Sequence, residues 1–338
     1  MSKRLIRTPL SVLDFASYSQ GQSVADGLAN SQDLARHAED LGYKRYWLAE
    51  HHNAEGIGSA ATAVLIGLIA SGTRRIRVGA GGVMLPNHSP YVIAEQFGTL
   101  DAVFPDRIDL GLGRAPGTDQ MTAHALRSHW DSVPNFEALV EELSMWLSSP
   151  SDTQRVKAIP GAGTDVPIWI LGSSANSGKL AAALGRPYAF AGHFAPGAML
   201  EALEAYRKNF QPSRHLTNPH VMIGAAVVAA EDDAKARYLA SSMYQRFARV
   251  VQGIVAPLPP PVEELNLSEP VRRAVDSLVS EMVVGGPDTV AKGLESLIER
   301  TGADELIISS DLYAHADRRR SYEITAIVAG LSVPISLL

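Results

Sequence analysis

Strand-like and helix-like segments alternate along almost the whole of this 338-residue chain, and this alternation constrains the fold more than any other feature. Short apolar stretches are each followed by a longer segment with helical spacing. Strands that are buried on both faces read as such apolar runs, and repeated strand–helix units build a parallel sheet. We count roughly eight units, which favours a closed barrel over an open sheet. The sequence therefore predicts an α/β fold, a TIM-type (β/α)8 barrel with insertion segments.

The predicted elements follow one another in regular order. The predicted strands are Leu10–Phe15, Arg45–Ala49, Ile76–Val78, Arg107–Leu112, Val166–Leu171, Tyr188–Ala191, Val221–Ala229 and Glu305–Ser309. The predicted helices are Ala29–Leu41, Ser59–Ser71, Ser89–Val103, Phe136–Leu147, Ala175–Leu184, Gly197–Asn209, Glu231–Val250, one that begins at Gly286, and Ala316–Gly330. Two stretches, near 117–163 and 251–285, interrupt the repeat. We expect them to be excursions from one barrel domain that spans residues 1–338.

Composition excludes several classes of function. The net charge is −6 and the basic residues are scattered, which argues against a nucleic-acid partner or an anionic membrane surface. The chain has no cysteine, so it has no disulfide, no thiolate zinc site and no cysteine nucleophile. The absence of cysteine fits a cytoplasmic protein. The beginning of the chain lacks the apolar core of a signal peptide, and the longest apolar stretch, near 60–70, is too short to span a bilayer.

Glycine, arginine and histidine collect where three successive predicted strands end. Trp47–Asn53 contains Glu-His-His-Asn, Val78–Pro86 contains Gly-Ala-Gly-Gly, and Arg107–Arg114 ends in Gly-Leu-Gly-Arg. In a (β/α)8 barrel the active site lies at the carboxyl ends of the strands. These strand ends are therefore the candidate site.

Four of these motifs together give the chain a family resemblance. Glu50–Asn53, Gly79–Pro86, Arg107–Arg114 and Leu171–Ser174 occur in the order and at the strand ends seen in the bacterial luciferase-like monooxygenases. The chain most resembles the single-chain flavin oxidoreductases of that family, over nearly its whole length. The resemblance implies a TIM-type barrel with an insertion. It also implies that reduced FMN, supplied by a separate reductase, activates O₂; a related branch uses the deazaflavin F420.

A phosphate site is expected at the turn Gly172–Ser174. A helix N-terminus with free N–H groups favours an anion, and the hydroxyls of Ser173, Ser174 and Ser177 can donate to it. An ordinary serine N-cap is the alternative that local sequence favours. The resemblance assigns this turn to the FMN phosphate, although luciferase has an acidic residue at the position of Ser173. It also assigns phosphate binding to Arg114, for which a surface ion pair with Asp119 or Glu95 is the alternative.

The resemblance also locates the flavin ring and the catalytic residue. It implies a cis peptide bond between Gly81 and Gly82 whose bulge supports the ring; a plain glycine-rich turn is the alternative. His51 matches the luciferase histidine that acts on the flavin–oxygen intermediate, and an imidazole can transfer a proton near neutral pH. The alternative is a structural histidine held by Glu50. Because His51 and His52 are adjacent, they point to opposite sides, without the spacing of a helical metal site, and we predict no metal.

Two further strand-end residues, Asp14 and His193, are candidates by position alone. The apolar helix Ser59–Ser71, together with Ser89–Val103, predicts a homodimer. The predicted function is a monooxygenase that uses reduced FMN and O₂ on a small, partly apolar organic substrate. The alternatives are an F420-dependent hydride-transfer enzyme and a flavin-binding protein without turnover. No Gly-x-Gly-x-x-Gly motif follows a first strand, so a Rossmann-type NAD(P)H site is not expected.

Overall fold

The computed structural model describes residues 4–115, 117–126 and 135–331. Its strands are β1 (Leu10–Asp14), β2 (Arg45–Leu48), β3 (Arg77–Met84), β4 (Ile108–Gly113), β5 (Ile168–Gly172), β6 (Tyr188–Phe190), β7 (Val221–Ala229), β8 (Val283–Gly285) and β9 (Glu305–Ser309). Its α-helices are α1 (Val24–Asp40), α2 (Thr62–Ser71), α3 (Pro90–Val103), α4 (Gln120–Ala125), α5 (Phe136–Leu147), α6 (Ala175–Ala183), α7 (Met199–Asn209), α8 (Asp233–Val251), α9 (Glu269–Leu278), α10 (Pro287–Thr301) and α11 (His315–Val328).

The strands close into a barrel. The order β6-β5-β4-β3-β2-β1-β9-β7 is completed by pairing of β6 with β7, and all of these pairings are parallel. The remaining strand, β8, pairs only with the last residues of β7 and lies outside the ring. The predicted (β/α)8 barrel is thus confirmed, and the carboxyl ends of its eight strands surround one mouth.

Alternation along each strand divides the core into two layers. In β2 the side chain of Tyr46 packs toward the helices, and that of Trp47 packs inside the barrel against Trp169, with ring centroids 5.3 Å apart. Below this aromatic pair, Arg45 joins two buried carboxylates by ion pairs of 2.7 Å to Asp109 and 2.9 Å to Glu305. The amino-terminal end of the barrel is therefore filled by paired charges, which leaves the carboxyl-terminal mouth as the place for a ligand.

Most predicted elements are present, and several have the predicted bounds: β7, β9 and α5. β3 is longer than predicted, because its glycine-rich end continues the strand with a shift of register between Ala80 and Val83. Sequence patterns missed α4, α9 and β8, which all belong to the two predicted excursions. Residues 127–134 of the first excursion lie outside the described part of the chain. Among the described helices, none is long and apolar enough to cross a membrane. That residues 1–338 form a single domain remains a prediction.

Candidate active site

Two histidines flank one aromatic ring at the barrel mouth. Phe15 follows β1, and its ring centroid lies 5.6 Å from that of His51, which follows β2, and 6.2 Å from that of His193, which follows β6. Both imidazoles have a buried Nδ1 that no described group hydrogen bonds. Three separate strand ends thus converge on one small region, as expected for a barrel active site.

The two adjacent histidines that follow β2 point in different directions, as their spacing predicts. The ring of His51 turns toward Phe15, whereas Nε2 of His52 hydrogen bonds Oε1 of Glu50 at 2.9 Å. The histidine held by Glu50 is therefore His52 and not His51. Burial lowers the pKa of His51, and the positive charge of Arg246 lowers it further. His51 is consequently a neutral imidazole at neutral pH, able either to accept or to donate a proton.

His193 is the second mouth histidine, and a glycine makes room for it. A side chain at Gly224 would place its Cβ 2.4 Å from Nδ1 of His193, so the ring packs directly on the backbone of β7. Burial lowers the pKa of His193 to about 4, despite the opposing charge of Asp311. The sequence placed His193 at a strand end, and the glycine within the otherwise apolar β7 was the signal for close packing there.

The buried carboxylate of Glu50 joins three groups next to the mouth by hydrogen bonds. Glu50 accepts hydrogen bonds from Nε2 of His52 at 2.9 Å, from Nε2 of His88 at 2.8 Å and from the backbone N–H of Met84 at 3.2 Å. Within the described part of the chain, ligand atoms of Glu50, His52 and His88 lie within 4.8 Å of one another, close enough to share a metal ion. The same atoms make the hydrogen bonds of the Glu50 carboxylate. The sequence did not reveal that His88 belongs to this group.

Asp14 lies outside the mouth. Its carboxylate pairs with Nη2 of Arg318 at 2.7 Å, accepts the backbone N–H of Ala16 at 2.9 Å and also accepts the hydroxyl of Tyr46. These partners lie on the helix-facing side of the barrel, because Leu13, the preceding residue, takes the inward position. The strand-end position of Asp14 therefore reflects a buried ion pair that joins β1 to α11.

The predicted phosphate turn is built at the start of α6. Oγ of Ser174 accepts the backbone N–H of Ser177 at 3.4 Å, and Oγ of Ser177 donates to the Ser174 carbonyl at 2.7 Å while bonding the Tyr188 hydroxyl at 2.8 Å. The Ser177 hydroxyl thus uses its proton to stabilise the turn, in an arrangement like a capping box. Backbone N–H groups at the helix start and the hydroxyl of Ser173 remain as the donors for a phosphate. Phosphate binding by Ser173, Ser174 and Ser177 stays a prediction.

Arg114 directly follows β4 and lies beside this turn. β4 and β5 pair with Leu112 opposite Ile170, so Arg114 and Gly172, two residues further along, emerge on neighbouring strands. Strands in a sheet are about 4.8 Å apart. Arg114 is exposed, and among the described residues neither Asp119, Glu95 nor any other group pairs with it. An uncommitted guanidinium next to a helix N-terminus is a donor set that suits a phosphate, so these residues fit the phosphate of a flavin nucleotide.

The Gly81–Gly82 peptide bond is cis, and it lies in the bulge of β3. Side chains have no room here: a Cβ on Gly81 would lie 2.8 Å from Leu13 Cδ1, and one on Gly82 would lie 2.7 Å from the Gly111 carbonyl oxygen. The bulge therefore brings bare backbone to the mouth, against which a flat ring can pack closely. That it supports a flavin ring stays a prediction.

Both excursions are fastened to the rim of the mouth. In the first, Oγ1 of Thr118 donates to the His52 carbonyl at 3.0 Å, and Oδ2 of Asp119 accepts Nδ2 of Asn53 at 3.1 Å. In the second, Leu258 forms a bridge with Ser19, where the Leu258 carbonyl accepts the N–H of Gln20 at 2.9 Å. Each excursion is thus hydrogen bonded to a loop at the mouth, the first to the loop that carries His51 and the second to the loop that follows Phe15.

Comparison with known sequences identifies the family. A family model described as luciferase-like monooxygenase matches residues 10–305. The chain belongs to the luciferase-like monooxygenase family. It is 46% identical over 317 residues to a luciferase-like monooxygenase of Escherichia coli, covering 93% of this chain and 95% of that protein. It is 52% identical to the uncharacterised YvbT protein of Bacillus subtilis, over 94% of this chain and 96% of the relative. An N-acetyl-S-alkylcysteine monooxygenase of Bacillus subtilis is 40% identical over 60% of this chain and 63% of its own length.

Several solved structures share the fold. The apo crystal structure of MsnO8 superposes with a TM-score of 0.86 at 35% identity and covers 97% of this chain and 99% of that one. The oxygenating component of 3,6-diketocamphane monooxygenase from Pseudomonas putida, solved with FMN, has a TM-score of 0.70 at 20% identity, over 97% of this chain and 99% of that one. An F420-dependent secondary alcohol dehydrogenase has a TM-score of 0.69 at 14% identity, over 96% and 99% of the two chains. The last two similarities concern the fold alone.

Proposed function

We propose that the protein is a monooxygenase that uses reduced FMN and O₂ to oxygenate a small, partly apolar organic substrate. The observation that carries this proposal is the arrangement of the mouth. Arg114, which has no partner among the described residues, lies beside the N-terminus of α6, and His51 lies two strands away from it, next to Phe15. Arg114 suits a phosphate, and His51 suits proton transfer. Family membership supports the same function.

FMN is favoured over F420 as the cofactor. The FMN complex of the diketocamphane monooxygenase component and the names of the monooxygenase relatives support FMN. When bound, reduced FMN supplies the two electrons that reduce O₂, one oxygen atom going to the substrate and the other to water. We expect a separate flavin reductase to deliver the reduced cofactor, and two copies of this chain to form the enzyme.

Each residue at the mouth has a defined task in this proposal. Arg114 and the backbone N–H groups of the α6 start bind the phosphate. The Gly81–Gly82 bulge supports the ring. The imidazole of His51, kept neutral by burial and by Arg246, holds or transfers the proton that oxygen chemistry requires. Phe15 and the two fastened excursions limit access of water, which would divert reduced oxygen to H₂O₂.

The experiment that tests the proposal begins with cofactor choice. The purified protein is titrated with FMN and with F420, and quenching of cofactor fluorescence reports the affinity. We expect FMN to bind at least about tenfold more tightly. The FMN-loaded enzyme, reduced and mixed with O₂ and an N-acetyl-S-alkylcysteine, is then assayed by mass spectrometry for incorporation of ¹⁸O from ¹⁸O₂. Preference for F420 would indicate hydride transfer, and FMN binding without oxygen uptake would indicate a flavin-binding protein.

A further inference from the structure

Arg246 is a cation near the mouth whose hydrogen-bonding capacity has no task in the proposed function. Arg246 lies on α8, and Nη2 donates to Oδ2 of Asp311, just after β9, at 2.9 Å. Asp311 is 2% exposed, while the arginine side chain is 20% exposed. Oδ1 of Asp311 also accepts the hydroxyl of Ser17 and lies 3.7 Å from Nη2 of Arg318. The buried carboxylate therefore fixes one end of the guanidinium, while the arginine side chain remains partly exposed.

Most of the donors of Arg246 are uncommitted. A guanidinium carries five N–H groups, and among the described residues only the bond to Asp311 engages one of them. The other nitrogens are not among the buried, unpaired atoms of the described residues, and the side chain is 20% exposed, so they are available to a ligand. The central carbon of the guanidinium also lies 5.8 Å from the Phe247 ring, which limits its freedom without using an N–H group.

Arg246 lies at the end of the barrel where the proposed chemistry takes place. Its partner Asp311 follows β9 and accepts the hydroxyl of Ser17, which is two residues beyond Phe15. The positive charge of Arg246 lowers the pKa of His51, in agreement with this position. The cation is therefore at the same end of the barrel as the two imidazoles whose Nδ1 atoms have no hydrogen-bond partner among the described residues.

The neighbouring carboxylates, within the part of the chain that the structure describes, are already committed. Asp311 pairs with Arg246 itself, Asp14 pairs with Arg318 at 2.7 Å, and Glu50 accepts His52 and His88. None remains to pair with the outer edge of the guanidinium. Planar guanidinium edges bind carboxylates through two parallel hydrogen bonds, a geometry that a neutral carbonyl satisfies only in part.

We propose that the free edge of Arg246 binds the carboxylate of the organic substrate, so that the substrates are apolar organic acids. The inference rests on the proposed function in one respect, since it names the substrate class of that enzyme. The carboxylate sits on Arg246, the apolar part of the substrate packs on Phe15, and His51 lies beside the atom to be oxygenated. Asp311 is the positioning residue that fixes the guanidinium.

Binding of matched probes tests the subsite without any turnover. Hexanoate and hexanamide have the same apolar tail and differ in charge. Each is titrated by calorimetry into the protein, with and without FMN. We expect hexanoate to bind wild type at least about tenfold more tightly than hexanamide, in keeping with the strength of charged hydrogen bonds. Arg246→Gln should abolish this preference, Arg246→Lys should reduce it, and the control Arg249→Gln, one turn along α8, should retain it.

The titration of His51 gives a second, independent readout. In histidine-labelled protein followed by NMR, hexanoate should raise the pKa of His51 by neutralising Arg246, and hexanamide should not. Glu50, His52 and His193 also act on this ring, and we expect neither probe to bind to them. Equal affinity for the two probes, or a preference that survives Arg246→Gln, overturns the subsite. Arg246→Lys keeps the test decisive if Arg246→Gln fails to fold.

The subsite and the proposed function can fail separately. If FMN binds and ¹⁸O is incorporated, yet hexanoate and hexanamide bind alike, the carboxylate subsite is wrong and the monooxygenase assignment stands. If FMN does not bind, the assignment fails, while the probe preference is still measured on the protein without FMN. A loss of FMN affinity in Arg246→Gln with unchanged hexanoate binding would assign Arg246 to the cofactor and overturn the subsite.

Discussion

Nε2 of His88 donates a hydrogen bond to Oε1 of Glu50 over 2.8 Å, which ties the segment after β3 to the end of β2. Burial by itself would raise the pKa of Glu50, but hydrogen bonds and charge from His88, with a second bond from His52, outweigh it and hold the pKa below its usual value. The carboxylate is therefore part of what keeps the loop of His51 in place.

Replacing this carboxylate should change how stability depends on pH. Because the pKa of Glu50 is lower in the folded protein, its contribution is fully present above the unfolded pKa and is lost as pH falls through the folded pKa. We expect Glu50→Gln to lose about 1–3 kcal/mol of unfolding free energy at pH 7 and to show a shallower loss between pH 5 and 3. Urea unfolding across this pH range measures both. Glu55→Gln, at an exposed position nearby, is the control, and a slope identical to wild type would contradict the role of Glu50.

Removing the guanidinium at the phosphate turn should weaken FMN binding. Arg114 is exposed beside the start of α6 and uncommitted among the described residues, so Arg114→Ala removes a charged hydrogen-bond donor. We expect a loss of roughly 1.5–3 kcal/mol in FMN affinity. Arg155→Ala, an exposed arginine in the segment before β5, is the matched control. Equal affinity of Arg114→Ala and wild type by fluorescence quenching would remove Arg114 from the site.

The ion pairs at the opposite end of the barrel should contribute to stability alone. Arg45→Met removes the cation that joins the buried carboxylates of Asp109 and Glu305, and leaves Arg77 and Lys44 as their remaining arginine and lysine partners among the described residues. Breaking a buried ion pair costs about 3–5 kcal/mol, and we expect the lower end of that range. Arg273→Met removes the exposed pair with Glu269 and should cost at most about 0.5 kcal/mol. Chemical denaturation measures both variants. Comparable costs for the two would show that burial does not set the strength of the pair.

The outer faces of α2 and α3 should form a dimer contact. Val64 is 71% exposed, Val103 is 62% exposed and Val92 is 43% exposed, all on these two helices. Because twofold dimers are the commonest oligomers, we expect a dimer in solution that Val64→Asp dissociates. Val156→Asp, at a residue that is 58% exposed between α5 and β5, should leave it intact. A wild-type monomer by light scattering over a wide concentration range would contradict this.

Local patterns predicted the barrel because each strand–helix unit carries its own signal. The apolar β7 and β9 were assigned with their observed bounds, and the predicted β2 and β4 placed His51 and Arg114 at strand ends. The predicted β3 was too short because glycine has a low strand propensity. In the folded protein, the lack of a side chain at Gly81 and Gly82 permits close packing there. Local sequence gives no information about such long-range packing.

The parts of the site that the sequence missed depend on contacts between distant segments. His88 joins Glu50 because β2 and β3 are neighbours, and Arg246 contacts Asp311 because the fold brings α8 close to the end of β9. Asp14 and His193 had the same strand-end signal, yet one faces α11 and the other Phe15. A shift of one residue along a strand moves a side chain from the pocket to the helix-facing side of the barrel. At a strand end, no local sequence pattern determines which side the residue takes.

The reaction of the reduced enzyme with oxygen tests the central claim most directly. Reduced FMN-loaded wild type, His51→Ala and the control His215→Ala are mixed with oxygenated buffer in a stopped-flow instrument, and absorbance decay and H₂O₂ yield are recorded. If His51 manages the proton in oxygen chemistry, His51→Ala should bind FMN with nearly unchanged affinity, insert less oxygen, and show a different decay and a different H₂O₂ yield, while His215→Ala matches wild type. Identical decay and identical H₂O₂ yield in wild type and His51→Ala would make His51 structural and contradict the account.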